Sequence, residues 1–422
     1  MEAAQLWTRL NTEAALLRSH GSAEPNSDRF RSASDTVARM RPEFERFGIT
    51  RLAEVTGLDR VGIPVWMAIR PNSKTLAVSQ GKGLSDAAAQ ASAVMEAAEL
   101  ATAEGANLRT RLCSAQDLRA ENERAELLHN LVKRGQRPPA VDEELAWVTA
   151  FDLIAGSPVW VPAEVVRLDR TSRENEPGTR YWQSSDGLAS GNLLIEAVVH
   201  GLCERIERDA SVLWQFRSER DVCERCIAPE EMDDPAVQSL ARRVEEAGLS
   251  LRLFDITSDI GVPVFFATIS PALEGLEHHG LHFDLSSGMG CHPSPARAAI
   301  RAITEAAQSR VTSITGARDD FDPNLYATRL TPDVLTYLRA RPGKSNRAAA
   351  DNAVPANPAD NLHLLLSSLQ GAGVSSVIVV PLAASEPGFA VAKVLIPELE
   401  NPPGERRQHY GKRALRAMAG LQ

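Results

Sequence analysis

The alternation of apolar and polar positions divides the chain into short strands and a few long helices. Four apolar runs open on a Gly-x-Pro-Val-like start: GIPVWMAIRP (62–71), GSPVWVPAEV (156–165), GVPVFFATIS (261–270) and GFAVAKVLIP (388–397), the last with alanine in place of proline. Three of them follow a second β-rich run: ELAWVTAFDLIA (144–155), LSLRLFDITSD (249–259) and SSVIVVPLAA (375–384). Rich in β-branched and aromatic residues, these pairs predict β-hairpins. The Gly-rich stretches SQGKGLSD (79–86), SSDGLASGN (184–192) and SSGMGCHPSP (286–295) predict turns, each leading into a helix. A recurring strand–turn–helix unit is an internal repeat.

The three helices carry polar residues at one repeated spacing. Ser92, Glu96 and Glu99 lie in the first; His200, Glu204 and Glu207, with Glu196 a turn earlier, lie in the second; Arg301, Glu305 and Gln308 lie in the third. Steps of four and three residues keep each triplet on one helix face. In NLLIEAVVHGLCERIERD, Ile195, Val198, Val199, Leu202 and Ile206 form the apolar stripe. The polar row sits beside that stripe and spans about 80° at ~100° per residue, so its carboxylates are expected to be partly desolvated. A single Glu-x-x-Glu is ordinarily a solvated face, since like charges at this spacing cost only ~0.2–0.5 kcal/mol. Three copies on a repeated unit require a shared cause.

Composition narrows that cause. The 422 residues, 43% hydrophobic and 24% charged, suit a soluble globular chain of two or three lobes. A net charge of −9 argues against nucleic acid as a partner and is compatible with carboxylates gathered around cations. No run reaches the ~18–20 apolar residues that cross a bilayer. The start, MEAAQLWTRL, lacks the basic and apolar regions of a secretion signal. Five irregularly spaced cysteines fit a reducing, cytoplasmic setting, and Cys223–Cys226 lacks the second pair that zinc requires. His278, His279 and His282 sit in a Gly-rich stretch and are expected at the surface. HGSAEPNSDRFRSASDT (20–36) is polar and turn-rich, so residues 1–45 are expected to form a helical, partly flexible arm rather than core. Residues 341–361 predict a long loop, and 401–422 a C-terminal tail beyond a main domain of 46–400.

Carboxylate clusters without paired His or Cys favour hard cations, and Mg²⁺ commonly shares its shell with substrate phosphates. Gly-rich turns and helix N-termini offer N–H groups to phosphate. Lys82, Arg208, Arg301 and Arg310 offer charge-assisted contacts. Neither a P-loop nor a dinucleotide fingerprint is present. The residues point to an unconventional Mg²⁺–nucleotide site.

On Ser92-x3-Glu96-x2-Glu99, Asn192-x3-Glu196-x7-Glu204-x2-Glu207-Arg208-Asp209 and Arg301-x3-Glu305-x2-Gln308-x-Arg310, the chain resembles the YcaO family of ATP-dependent enzymes that activate peptide backbone amides. The phrases LDRVGIPV, GLASGN and TEAAQSR add to the resemblance, which covers roughly residues 45–400. It implies a YcaO-like α/β (α+β) fold of repeated β-hairpin–helix units around a central ATP/Mg site. It implies Mg²⁺ on Glu96, Glu99, Glu196, Glu204, Glu207 and Glu305, and nucleotide contacts from Ser92, Asn192, Arg208 and Arg301, with Lys82, Gln308 and Arg310 beside them. Leu100 departs from the family, where many relatives carry arginine, and Lys82 is the expected replacement. The family acts on a peptide or protein substrate. Azoline-forming members commonly carry a Pro-x-Pro-x-Pro tail and a leader-recognising partner or domain. This chain has only Pro402-Pro403 near an ending that looks like members working with a TfuA-like sulfur-delivery partner. The resemblance thus implies thioamide formation, with an azoline-forming cyclodehydratase or a non-catalytic ATP-binding regulator as the alternatives. A homodimer is compatible with it.

Overall fold

The apolar runs pair as antiparallel hairpins and assemble into three sheets. The computed structural model describes residues 3–20, 29–133, 135–171, 180–318, 320, 322–343, 358–386, 388–402 and 410–420. β1 (Arg51–Glu54), β2 (Val65–Ile69) and β3 (Val78–Lys82) form a three-stranded sheet in chain order. β4 (Arg111–Ser114), β5 (Glu144–Asp152), β6 (Ser157–Pro162), β7 (Leu188–Gly191), β12 (Ile378–Glu386) and β13 (Phe389–Leu395) form a sheet of order β4-β5-β12-β13-β7, with β6 also on β5. β8 (Cys226–Ile227), β9 (Ser250–Asp255), β10 (Val264–Ser270) and β11 (Ser286–Cys291) form the third, in the order β11-β10-β9-β8. The expected hairpins β5–β6, β9–β10 and β12–β13 are all present.

The five longest described helices are α1 (Ala3–His20), α2 (Asp86–Glu104), α3 (Leu194–Trp214), α4 (Pro295–Thr315) and α5 (Pro358–Gly371). The sequence reading of three Gly-rich turns is corrected here: each stretch contains strand residues, and β3, β7 and β11 are each the edge of a sheet. Glycine serves close approach, because the following helix lies directly on the strand. A Cβ at Gly81 would come within 2.1 Å of Ala93 N, and one at Gly290 within 2.2 Å of Ala298 O. The helix faces are correspondingly small, with Ala89, Ala93 and Ala97 on α2 and Ala298, Ala302 and Ala306 on α4, all fully buried. Ser85 and Ser294 begin these two helices by accepting from Ala88 N and Arg297 N.

Each helix also reaches a second edge strand. α2 lies on β3 and touches β7; α3 lies on β7 and touches β11; α4 lies on β11 and touches β3. The order closes on itself.

The first helix is core, which corrects the expectation of a peripheral arm. Leu6, Leu10 and Leu17 of α1 are at most 1% exposed and pack with Ile195, Leu202 and Ile206 of α3 and Leu365 and Leu369 of α5. The stripe predicted on α3 is the buried one. Leu193 gives α3 no side-chain cap, and Glu13 of α1 supplies one from a distance by accepting Ile195 N at 2.9 Å. A polar-looking N-terminal sequence hides this because the helix is followed by the turn-rich segment, of which 21–28 lie outside the described residues. Of the predicted loop 341–361, residues 344–357 lie outside the description and 358–361 begin α5. Of the predicted tail, 403–409 and 421–422 lie outside, while Lys412–Met418 form a helix held by Arg413 on Asp209 at 2.9 Å. Among the described residues, no helix is long and apolar enough to cross a membrane.

Gly290→Ala is expected to destabilise the chain by about 1–3 kcal/mol, the range for forcing extra methyl groups into a packed interior. Gly57, whose Cβ position is open within 4 Å, should tolerate alanine within about 0.5 kcal/mol. Chemical denaturation of both variants measures the difference, and equal effects would contradict the close-packing account.

Candidate nucleotide–metal site

Helix-on-strand packing aims the glutamates of α2, α3 and α4 at the free edge of the sheets. An edge strand carries N–H groups that no neighbouring strand takes. Glu96 accepts from the backbone of Gln80. Glu204 Oε2 accepts Gly187 N at 3.0 Å, and Glu305 Oε1 accepts Met289 N at 3.4 Å. Sequence spacing thus becomes a set of carboxylates anchored on three strand–helix pairs, within the strand on β3 and β11 and just before it on β7.

Five carboxylates act on one another there. Burial raises Glu99 well above the usual carboxylate range, and Glu204 and Glu96 add to it. Burial pushes Glu207 up to about 7, with Glu305 next in effect. Glu96 is also pushed up to about 7 by burial, against the pull of Arg318 and Lys82. Glu204 is raised by burial and restrained by Arg208. Glu305 is the exception: burial works to raise it, yet Lys82 and Arg208 hold it below the usual value.

Two cations sit among them. Lys82 Nζ pairs with Glu305 Oε2 at 2.5 Å, joining β3 to α4. Arg208 meets Glu204 at 3.4 Å, Asp186 at 3.5 Å and Glu207 at 3.9 Å. Burial opposes its charge, but Glu204, Glu207 and Asp186 raise its pKa all the same. Glu96, Glu99, Glu204, Glu207, Glu305, Lys82 and Arg208 therefore form one electrostatic group.

The other candidates have protein partners in this structure. Glu196 is buried and accepts Phe30 N at 2.6 Å and Asn192 N at 2.9 Å, with Arg29 at 3.5 Å. Asn192 Oδ1 accepts the Thr36 hydroxyl at 3.1 Å. Arg301 donates to Cys291 O at 3.0 Å, and Arg310 pairs with Asp59 at 2.9 Å. Gln308 Nε2 donates to Gln80 O at 3.4 Å while its Oε1 is buried without a hydrogen-bond partner. Ser92 is half-buried on α2. Leu100 is 5% exposed and packs with Leu188 and Phe389, so its position faces core rather than the acidic group. Sequence reasoning missed Arg318 and Asp186. Asp186 lay inside the motif SSDGLASGN, whereas Arg318 follows α4 at no recognisable spacing.

All-oxygen donors of this kind suit Mg²⁺. Among the described residues, no three acidic, histidine or cysteine side chains already converge on one ion position.

The sign of the pH dependence follows from the two values near 7. Between the ordinary 4.5 and about 7, folded Glu96 and Glu207 hold more protons than the unfolded chain does. Their contribution is complete below 4.5 and is lost as pH rises through about 7. The melting temperature of the metal-free chain should fall from about pH 5 to about pH 8, and Glu207→Gln should flatten that slope. An unchanged slope in the variant would remove Glu207 from the coupled group.

Comparison with known proteins gives the family and the fold. The family model described as YcaO cyclodehydratase, ATP- and Mg²⁺-binding, matches residues 80–400. A relative described as an uncharacterized protein in the tfuA 3′ region of Rhizobium leguminosarum bv. trifolii is 37% identical over 99% of both chains. The structure of YcaO from Methanopyrus kandleri bound with AMPPCP and Mg²⁺ aligns with a TM-score of 0.68 at 21% identity, covering 91% of this chain and 98% of that one. A heterocyclase in complex with substrate and cofactor aligns with a TM-score of 0.72 at 17% identity, covering 97% of this chain, which spans only 58% of that one. These two likenesses establish the fold. With its family match over most of its length, the chain belongs to the YcaO family of ATP- and Mg²⁺-binding enzymes.

Proposed function

We propose that this enzyme phosphorylates a peptide backbone amide with ATP and completes a thioamide with sulfide supplied through a TfuA-like partner. The observation that carries the reading is the group of five glutamates, Lys82 and Arg208 contributed by α2, α3, α4 and β3. We read β3–α2, β7–α3 and β11–α4 as three copies of one unit around a central site, supported by the closed order of their contacts.

In this reading Glu96, Glu99, Glu204, Glu207 and Glu305 hold Mg²⁺, and Glu196 joins them by exchanging its N–H donors for the ion. Mg²⁺, when bound, neutralises charge on the transferring phosphoryl group. Ser92, Asn192, Arg208, Arg301, Gln308 and Arg310 are assigned to the nucleotide. Lys82 and Arg208, paired now with Glu305 and Glu204, are the cations able to turn to phosphate oxygens.

The amide oxygen attacks the γ-phosphorus and ADP departs. Sulfide adds to the amide carbon, phosphate leaves with the former amide oxygen, and a C=S bond remains. Phosphorylation is needed because an amide oxygen is a poor leaving group and a phosphate is a good one. The choice of sulfide rests on the full-length relative described by its place beside tfuA.

Saturating Mg·ATP should stabilise the chain by about 2.7 kcal/mol at a hundredfold excess over its dissociation constant. Glu204→Gln should remove most of that shift, while metal-free stability stays similar or rises slightly. A shift that survives the substitution would locate nucleotide binding elsewhere. Incubation with ATP, sulfide, the partner and a genomically adjacent peptide should add about 16 Da per modified amide, the mass of oxygen replaced by sulfur. A sulfide-independent loss of about 18 Da would instead identify dehydration to an azoline and overturn the choice of nucleophile.

A further inference from the structure

The run Glu207-Arg208-Asp209 ends on a carboxylate that the functional reading above leaves unused. Asp209 lies in the second half of α3 and is 0% exposed. Its Oδ1 accepts Glu400 N and Arg413 Nε, each at 2.9 Å, and its Oδ2 accepts Arg413 Nη2 at 2.9 Å. Arg413 comes from the Lys412–Met418 helix, 204 residues further along the chain. The same guanidinium reaches the exposed Asp259 at 2.5 and 3.1 Å.

Glu400 ties the same two helices together. Its carboxylate accepts Gly411 N at 2.7 Å and Ala414 N at 2.9 Å, so it caps the start of the Lys412–Met418 helix. Its carbonyl accepts Arg205 Nη2 at 2.9 Å, one turn before Asp209 on α3. The helix is therefore pinned at residues 205 and 209, and Glu207 and Arg208 lie between the pins. Glu207 is two residues from each and points about 160° away from both, at ~100° per residue. The pins are at the back of α3, and Glu207 is at the front. A buried ion pair adds little net stability over apolar packing of the same volume, but a bidentate guanidinium–carboxylate pair admits only a narrow geometry.

We propose that Arg413 is a positioning residue for Mg·ATP binding: acting through Asp209, it fixes the orientation of Glu207 and Arg208. The proposal rests on the assignment of those two residues to the nucleotide–metal site and is independent of the choice of sulfide. Its test is calorimetric titration of Mg·AMPPCP into the full chain. Arg413→Met should raise the dissociation constant about tenfold, the lower end for losing a group that orients a metal ligand from behind. Leu415→Ser, on the exposed face of the same helix, should stay within about twofold. Asp209→Asn combined with Arg413→Met should be no weaker than Arg413→Met, within about twofold, because residues that act through each other are not additive. If Arg413→Met does not fold, for want of a partner to a buried carboxylate, the double variant lacks that charge and should show the same loss. Wild-type affinity in Arg413→Met or in the double variant, a double-variant loss well beyond that of Arg413→Met, or an equal loss in Leu415→Ser would each overturn the proposal. Glu204→Gln, titrated in parallel, separates the two readings: undiminished binding there would overturn the site assignment itself, and this proposal with it.

Discussion

The architecture depends on one steric constraint: a helix backbone lying directly on an edge strand. Contact at 2–3 Å from a would-be Cβ is open only to glycine on the strand, and it favours alanine on the helix. Gly81 against Ala93 and Gly290 against Ala298 and Ala302 meet that requirement in two sheets, and in the third a Cβ at Gly191 would lie 2.8 Å from Ala197 N. Packing this close fixes the rotation of each helix about its axis. A helix turned by one residue would swing its glutamates about 100° away.

Fixed rotation then determines the electrostatics. Glutamates of α2, α3 and α4 take N–H groups at or beside the free strands, namely those of Gln80, Gly187 and Met289. The carboxylates act on one another, and Lys82, Arg208, Arg318 and Lys393 offset them in part. At an effective dielectric near 20, a like-charge pair 4 Å apart costs about 4 kcal/mol. Burial adds the larger cost, and the group relieves both by retaining protons, which is why Glu96 and Glu207 stay protonated to about 7. A bound divalent cation would relieve them by displacing the protons.

Much of this was legible in the sequence because it is periodic. Strand pairs followed from apolar runs, the α3 stripe from its 3.6-residue period, and the acidic group from a spacing repeated three times. What failed was the meaning of glycine. SQGKG and SSGMG look like turns, since local propensity cannot distinguish a glycine needed for backbone freedom from one needed for close approach. Glu13 and Arg318 were invisible for a related reason: each acts on a helix or carboxylate distant in sequence, and no local pattern marks a long-range contact. The first helix was misjudged because its leucines gain a partner only once α3 and α5 are in place.

The central claim is that one nucleotide–metal site is assembled by three strand–helix pairs. Anomalous diffraction from crystals grown with Mn²⁺ and a non-hydrolysable ATP analogue tests it most directly. The account predicts manganese peaks at about 2.0–2.3 Å from carboxylate oxygens contributed by α2, α3 and α4 together, bridged by the triphosphate. Manganese held by a single helix, or a nucleotide bound away from Glu96, Glu204 and Glu305, would contradict it.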